Sequence, residues 1–185
     1  PAFIEFAAKR TSGTNNIPSR KSIPTILIPS TNALVKTSYG VQFRPKRMFT
    51  PSTISLFTGE PGAGKTTLML ELANALTKQG YTTLFNTAEE SLYQVKLTCE
   101  RLNLLDGFVA GQESYVPKLL KNCDLLRRRD PGRPFFLIVD SLQTLNDGKY
   151  GQDHTNNHSA VRSLQMLTDY AKEHYINVIC IGQVN

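Results

Sequence analysis

Gly59-Glu60-Pro61-Gly62-Ala63-Gly64-Lys65-Thr66-Thr67 meets the pattern G-x-x-x-x-G-K-T at every fixed position. An apolar run (Ile54, Leu56, Phe57) precedes it and an amphipathic run from Leu68 to Leu76 follows, the strand-loop-helix setting that this motif requires. Gly59, Gly62 and Gly64 carry no Cβ, so the backbone is expected to take unusual dihedrals and bring its N–H groups close to phosphate oxygens. A helix beginning near Lys65 adds the positive end of its dipole. The Lys65 ammonium is placed to neutralise the β- and γ-phosphates, and the Thr66 hydroxyl to complete a magnesium shell. The stretch predicts a loop that binds a nucleoside triphosphate through Gly59, Glu60, Pro61, Gly62, Ala63, Gly64, Lys65, Thr66 and Thr67.

Outward from this loop, strand and helix patterns alternate. The first strand is expected at Thr53–Thr58, followed by a helix to about Gln79 that Gly80 ends. A strand at Thr82–Asn86 precedes a helix from about Ser91 to Leu102, whose Leu92, Val95, Cys99 and Leu102 share one face. A second helix, about Ser114 to Arg128, ends in Arg127-Arg128-Arg129, where cations oppose the helix dipole. Phe135-Phe136-Leu137-Ile138-Val139 is uniformly apolar, as a central parallel strand covered on both faces would be. A polar loop, Asn146 to His158, leads to a helix carrying Val161, Leu164, Leu167 and Ala171, and the last strand is expected at Ile176–Ile181. This order predicts an α/β fold with a mostly parallel sheet and helices on both faces.

The chain has 185 residues, enough for one such domain, with 40% hydrophobic and 19% charged residues. No apolar stretch approaches a membrane span and no signal-peptide pattern is present. Cys99, Cys123 and Cys180 form no C-x-x-C pair and read as free thiols of a reducing cytoplasm. Charge is uneven. Residues 1–50 hold eight Lys or Arg against Glu5 alone, a net of +7; the remainder holds 13 basic and 14 acidic residues, a net of −1. Residues 1–50 therefore read as a basic N-terminal extension or linker, and 51–185 as the core. The extension is either an arm for nucleic-acid phosphates or a solvated, weakly structured leader. Within it, Phe3 to Lys9 is expected to form a short helical turn, and residues 23–28 a short edge strand. The chain starts at Pro1 and stops at Asn185 directly after a strand, so it is expected to be a piece of a longer protein.

Three further positions carry chemistry. Asp140 directly follows the apolar strand, where a carboxylate can hold a magnesium-bound water shell. Glu89 and Glu90 lie just past the second strand, in the crevice beside a γ-phosphate, where one of them can orient or deprotonate an attacking water. The bland alternative is an acidic first turn of the next helix. Gln183, after the last strand, is placed to sense the γ-phosphate through its amide, or is an ordinary polar strand end. His154 and His158 lie far from other ligand types and read as loop residues.

With these residues in hand, the chain resembles a known family from about residue 51 to its end. Ala88-Glu89-Glu90-Ser91-Leu92-Tyr93-Gln94-Val95-Lys96-Leu97-Thr98-Cys99-Glu100-Arg101-Leu102-Asn103-Leu104 is similar to the GEES-x-x-QIKLRAERL stretch of the bacterial RadA (Sms) ATPases. Val139-Asp140-Ser141-Leu142-Gln143-Thr144-Leu145 resembles their IDSIQT segment, and residues 59–67 resemble their GDPGIGKST loop. Ile181-Gly182-Gln183-Val184-Asn185 stands where they carry GHVTK and DnaB-type helicases carry SQLNR. The resemblance implies a RecA-like P-loop ATPase core that hydrolyses ATP with Mg2+, with Lys65, Glu89 and Gln183 catalytic and Thr66 and Asp140 on the metal, partly through water. It favours Glu89 over Glu90. It also implies a homo-oligomer, a hexameric ring in that family, working on single-stranded or branched DNA in recombination, repair or replication, in the cytoplasm and away from membranes. Asn146–His158, with Lys149, Tyr150 and His154, stands at the place of a DNA-facing loop, or is a flexible surface connection. The family's four-cysteine zinc module and the segments beyond the last strand have no counterpart here, as in a trimmed or a divergent, phage-type relative. A nucleotide-gated regulatory or assembly module, KaiC-like or a helicase partner without DNA as substrate, is the alternative.

Overall fold

The computed structural model describes residues 52–104, 107–149 and 157–183, together with the backbone of residues 3–5, 35–36 and 42–43. The strands are β1 (Phe3–Glu5), β2 (Val35–Lys36), β3 (Gln42–Phe43), β4 (Ile54–Gly59), β5 (Thr82–Thr87), β6 (Val109–Gln112), β7 (Phe135–Asp140) and β8 (Asn177–Gln183). The helices are α1 (Lys65–Lys78), α2 (Leu92–Arg101), α3 (Val116–Arg129) and α4 (Asn157–His174), and a 3-10 turn covers Leu142–Thr144.

The main sheet has the order β1-β6-β5-β7-β8-β4. From β6 to β4 every pair is parallel, and β1 joins the far edge antiparallel, with Ile4 opposite Ala110. β2 and β3 form a separate antiparallel pair. Phe3–Glu5 is thus extended and not the helical turn expected there; pairing with β6 overrides the local preference. The strand expected at residues 23–28 lies outside the described residues.

Side chains alternate along each strand and split the core in two. Phe85, Ala110, Phe136, Ile138, Ile179 and Ile181 pack with Leu68, Leu72 and Leu76 of α1 and with Val95 and Cys99 of α2. Leu84, Val109, Leu137, Val139, Val178 and Cys180 pack with Leu119, Cys123 and Leu126 of α3 and with Leu167 and Ala171 of α4. Each such large apolar side chain contributes roughly 1.5–3 kcal/mol through its burial. Because α1 and α2 cover one face and α3 and α4 the other, the winding direction reverses after β6. An open sheet of this kind leaves a crevice beyond the carboxyl ends of its strands.

Local chemistry sets the helix ends. At the end of α1, Gly80 (φ 89°) takes the left-handed conformation, Tyr81 N–H reaches the Leu76 carbonyl at 3.1 Å and Gly80 N–H the Thr77 carbonyl at 3.0 Å. α2 starts with a capping box: Gln94 N–H donates to Ser91 Oγ at 3.3 Å and Ser91 N–H to Gln94 Oε1 at 2.9 Å. α3 begins two residues later than expected, since Tyr115 is extended and bridges to Asn146, with Pro117 in the first turn. Its Arg127 pairs with Asp124 and lies over the Tyr170 ring, so the triple Arg end of α3 is partly internal structure. β6 has no counterpart in the sequence expectations.

Candidate active site

The loop after β4 wraps around its own lysine. Lys65 Nζ donates to the Gly59 carbonyl at 2.8 Å and the Glu60 carbonyl at 2.7 Å. Gly62 (φ 77°) and Gly64 (φ 80°) hold the left-handed conformation that strains any residue with a Cβ. Gly59 does not; it closes β4 as extended chain, which corrects the expectation of an unusual dihedral at that position. Gly64 caps α1 without a side-chain hydrogen bond. The first-turn N–H groups and the positive helix end therefore face the crevice, the arrangement that binds anions. Pro61, Gly62 and Ala63 are exposed at the loop tip, and Thr67 is half-buried on α1.

Across the crevice, β7 ends at Asp140, which is 3% exposed. Thr66 Oγ1 donates to Asp140 Oδ2 at 2.5 Å, tying the first turn of α1 to the end of β7. Burial holds the Asp140 carboxyl above the ordinary carboxylate range, opposed by the Thr66 hydrogen bond. Nearby Glu89 and Glu90 push further up, and Lys65 pulls down. A hydroxyl and a carboxylate side by side at a phosphate loop form a hard, oxygen-only donor set, which fits magnesium better than a softer metal.

The end of β5 is fastened to the end of β7 by Ala88 N–H, which donates to the Asp140 carbonyl at 2.7 Å. Thr87 Oγ1 lies 3.0 Å from both the N–H and the carbonyl of Glu90, fixing the turn before α2. This turn presents Glu89, an exposed residue, to the neighbouring strand ends. Ser141 Oγ donates to Glu89 Oε1, and Gln183 Nε2 approaches the same oxygen at 3.4 Å. Gln183 is the last residue of β8 and not a residue beyond it. Its carbonyl accepts from Gln143 Nε2 at 3.3 Å. Lys65, Thr66, Asp140, Glu89 and Gln183 are thus gathered at the carboxyl ends of β4, β5, β7 and β8. Ser141 and Gln143 were not among the expected site residues. Their signal is adjacency, since both follow Asp140 within three positions at a strand end that already carried a carboxylate.

The loop after the 3-10 turn is anchored at its start. Asn146 N–H donates to the Ser114 carbonyl at 2.8 Å, and Asp147 accepts from Arg162 and from Ser159 Oγ at 3.0 Å. Lys149 and His158 are exposed; Tyr150 and His154 lie outside the described residues. Among the described residues no helix is long and apolar enough to cross a membrane. The three cysteines are buried and free, and burial raises the thiols of Cys99 and Cys180 to about 12.

Residues 55–185 match the family described as "ATPase family associated with various cellular activities (AAA)". The DNA repair protein RadA of Haemophilus influenzae is 34% identical over 136 residues, covering 72% of this chain and 28% of that protein. RadA of Mycobacterium tuberculosis is 30% identical over 138 residues, covering 72% and 27%. The chain therefore spans under a third of the length of these curated relatives. Among solved structures, the ATPase domain of G40P superimposes with a TM-score of 0.60 at 16% identity, covering 72% of this chain and 58% of that one. A DnaB-like replicative helicase gives 0.61 at 15% identity, covering 72% and 39%. With this sheet order and these superpositions, the RecA-like fold expected from the sequence is present. The chain belongs to the ATPase family associated with various cellular activities, as a RecA-type P-loop ATPase core similar to RadA.

Proposed function

We propose that this chain hydrolyses ATP with Mg2+ and that its turnover serves work on DNA. The observation that carries the hydrolytic half is the convergence of Thr66, Asp140 and Glu89 on one crevice opposite Lys65. Loop N–H groups and Lys65 bind the phosphates and stabilise charge on the transferring phosphoryl group. Magnesium, when bound, neutralises phosphate charge, and Thr66 and Asp140 are the residues that would hold it, Asp140 partly through water. Glu89 orients a water and takes its proton as the water oxygen bonds the γ-phosphorus and the bond to the β-phosphate oxygen breaks, giving ADP and inorganic phosphate. Gln183 reports the γ-phosphate to Glu89 through the side-chain contact between them.

The DNA half rests on the names of the relatives, which are DNA repair proteins. It includes assembly of several copies, a hexameric ring by resemblance, with single-stranded or branched DNA as the partner and the cytoplasm as the compartment. The net −1 of residues 51–185 favours a second reading, a nucleotide-gated assembly module without DNA as substrate. The test is ATP turnover of the chain and its Lys65→Ala variant, with and without single-stranded DNA, across a salt series. Hydrolysis that persists in Lys65→Ala ends the first half. DNA that neither binds nor accelerates turnover at low salt, beside salt-insensitive self-association with ATP, selects the second reading.

A further inference from the structure

Ser141 stands one residue beyond the metal-side carboxylate, is 1% exposed, and donates its hydroxyl to Glu89 Oε1. We propose that Ser141 is a positioning residue for hydrolysis: its hydroxyl fixes which oxygen of Glu89 faces the attacking water and how far it stands from Asp140. The role rests on Glu89 as the water-orienting carboxylate.

Glutamate is among the side chains with most rotamer freedom to lose, and Glu89 sits exposed in a short turn between β5 and α2. Left alone, it would sample many positions, few of them productive, and near-attack geometry is sensitive to displacements of about 1 Å. Ser141 removes that freedom because its own position is fixed from both sides. The Asp140 carbonyl before it accepts from Ala88 N–H at 2.7 Å, and its own carbonyl accepts from Thr144 Oγ1 at 2.7 Å. The buried hydroxyl is thus a donor on a rigid strand end, aimed at a carboxylate on a mobile kind of side chain.

Both donors, Ser141 Oγ and Gln183 Nε2, meet Oε1. Oε2 is then the oxygen turned to a water. Asp140 and Ser141 are consecutive, so a single peptide unit sets the spacing between the carboxylate beside Thr66 and the carboxylate beside the water. The same contact separates Glu89 from Glu90, whose backbone is held by Thr87 and which receives nothing from Ser141.

The test compares Ser141→Ala, Ser141→Thr, Glu89→Gln and the double variant Ser141→Ala/Glu89→Gln in steady-state ATP turnover and ATP affinity with magnesium, alongside melting curves. Ser141→Ala is expected to lower kcat about 10-fold while KM for ATP moves less than about twofold. Ser141→Thr, which keeps the hydroxyl, recovers activity; if it does not fold, Ser141→Ala, smaller than the native residue, carries the test. In the Glu89→Gln background, adding Ser141→Ala changes turnover less than about twofold, because the two act as one unit. The proposal is overturned if Ser141→Ala turns over like the native chain while Glu89→Gln is inactive, if its loss is in ATP affinity, or if the two losses multiply in full. If Glu89→Gln itself turns over normally, the water-orienting role of Glu89 falls, and the positioning role with it.

Discussion

Thr66 and Asp140 are 74 positions apart in sequence and 2.5 Å apart in space, hydroxyl to carboxylate, at the point where α1 meets the end of β7. Burial makes this contact costly for a charged group, and the Asp140 carboxyl is held above its ordinary range for that reason first. A neutral amide of the same shape keeps an acceptor for Thr66 and removes the buried charge. Asp140→Asn is therefore expected to melt no lower than the native chain without nucleotide, with a gain on the order of 1 kcal/mol, the usual sign of an active site that trades stability for function. ATP turnover should drop by roughly 100-fold or more if, as we propose, Asp140 is a carboxylate that holds magnesium. Melting curves and turnover on the same preparations check both. A variant that melts several degrees lower contradicts the account of Asp140 as a strained charge.

Lys65 gives the opposite pattern. Its ammonium bonds two loop carbonyls at the rim of the crevice, where water can replace it. Such partly exposed contacts are worth about 1 kcal/mol or less to folding. Lys65→Ala should leave the melting temperature nearly unchanged and, on the proposed role of Lys65 opposite the phosphates, weaken binding of a fluorescent ATP analogue by about tenfold or more. A variant that binds the analogue like the native chain would remove Lys65 from the phosphate site.

These two residues also mark what could be read from the chain itself. The loop from Gly59 to Thr67 and the apolar strand ending at Asp140 are written in local residue types and spacing, and the structure brings Thr66 of the first to within 2.5 Å of Asp140. β6 escaped because Val109-Ala110-Gly111-Gln112 is short and half of it has low strand propensity. Its pairing with β5 on one side and β1 on the other makes it a strand. The same long-range pairing makes Phe3–Glu5 extended, against the helical turn that the local sequence suggests there. Within the site, Glu89 and Gln183 were visible as polar residues at strand ends. Ser141 was not, because a serine's role depends on which carboxylate the fold brings to it.

Asp147 offers a pH test away from the nucleotide crevice. Its carboxylate is 6% exposed and lies well below the ordinary 3.8, first through the hydrogen bond from Arg162. Ser159 Oγ at 3.0 Å and the Lys149 N–H at 3.5 Å add to this, and burial opposes it. A carboxylate depressed in the folded state contributes stability that is fully present above its unfolded value and is lost as pH falls through the folded one. Asp147→Asn should thus lower the melting temperature by a constant amount at neutral pH, and the gap should narrow once the pH drops below about 4. Melting curves of both chains from pH 7 to pH 3 provide the measurement. A gap that widens with acid would show the sign to be wrong.

Asn86 tests whether the segment after β6 is held by the sheet. This residue of β5 is 1% exposed, yet its amide serves both backbone groups of Glu113: Nδ2 donates to the Glu113 carbonyl at 2.8 Å, and Glu113 N–H donates to Oδ1 at 3.1 Å. Glu113 in turn accepts from Tyr115 N–H at 3.1 Å and pairs with Lys118 at 2.7 Å, setting the start of α3. Asn86→Ala leaves two backbone groups without their partner, a loss of roughly 2–4 kcal/mol. Asn86→Asp keeps the acceptor and loses the donor, and it adds a charge that burial disfavours, so it should be no better tolerated. Urea unfolding is expected to show a lower midpoint for both variants with an unchanged slope, the mark of a stability change in a fold that stays the same. An Asn86→Ala midpoint within error of the native chain would mean that water replaces the amide at little cost and that α3 is positioned without it.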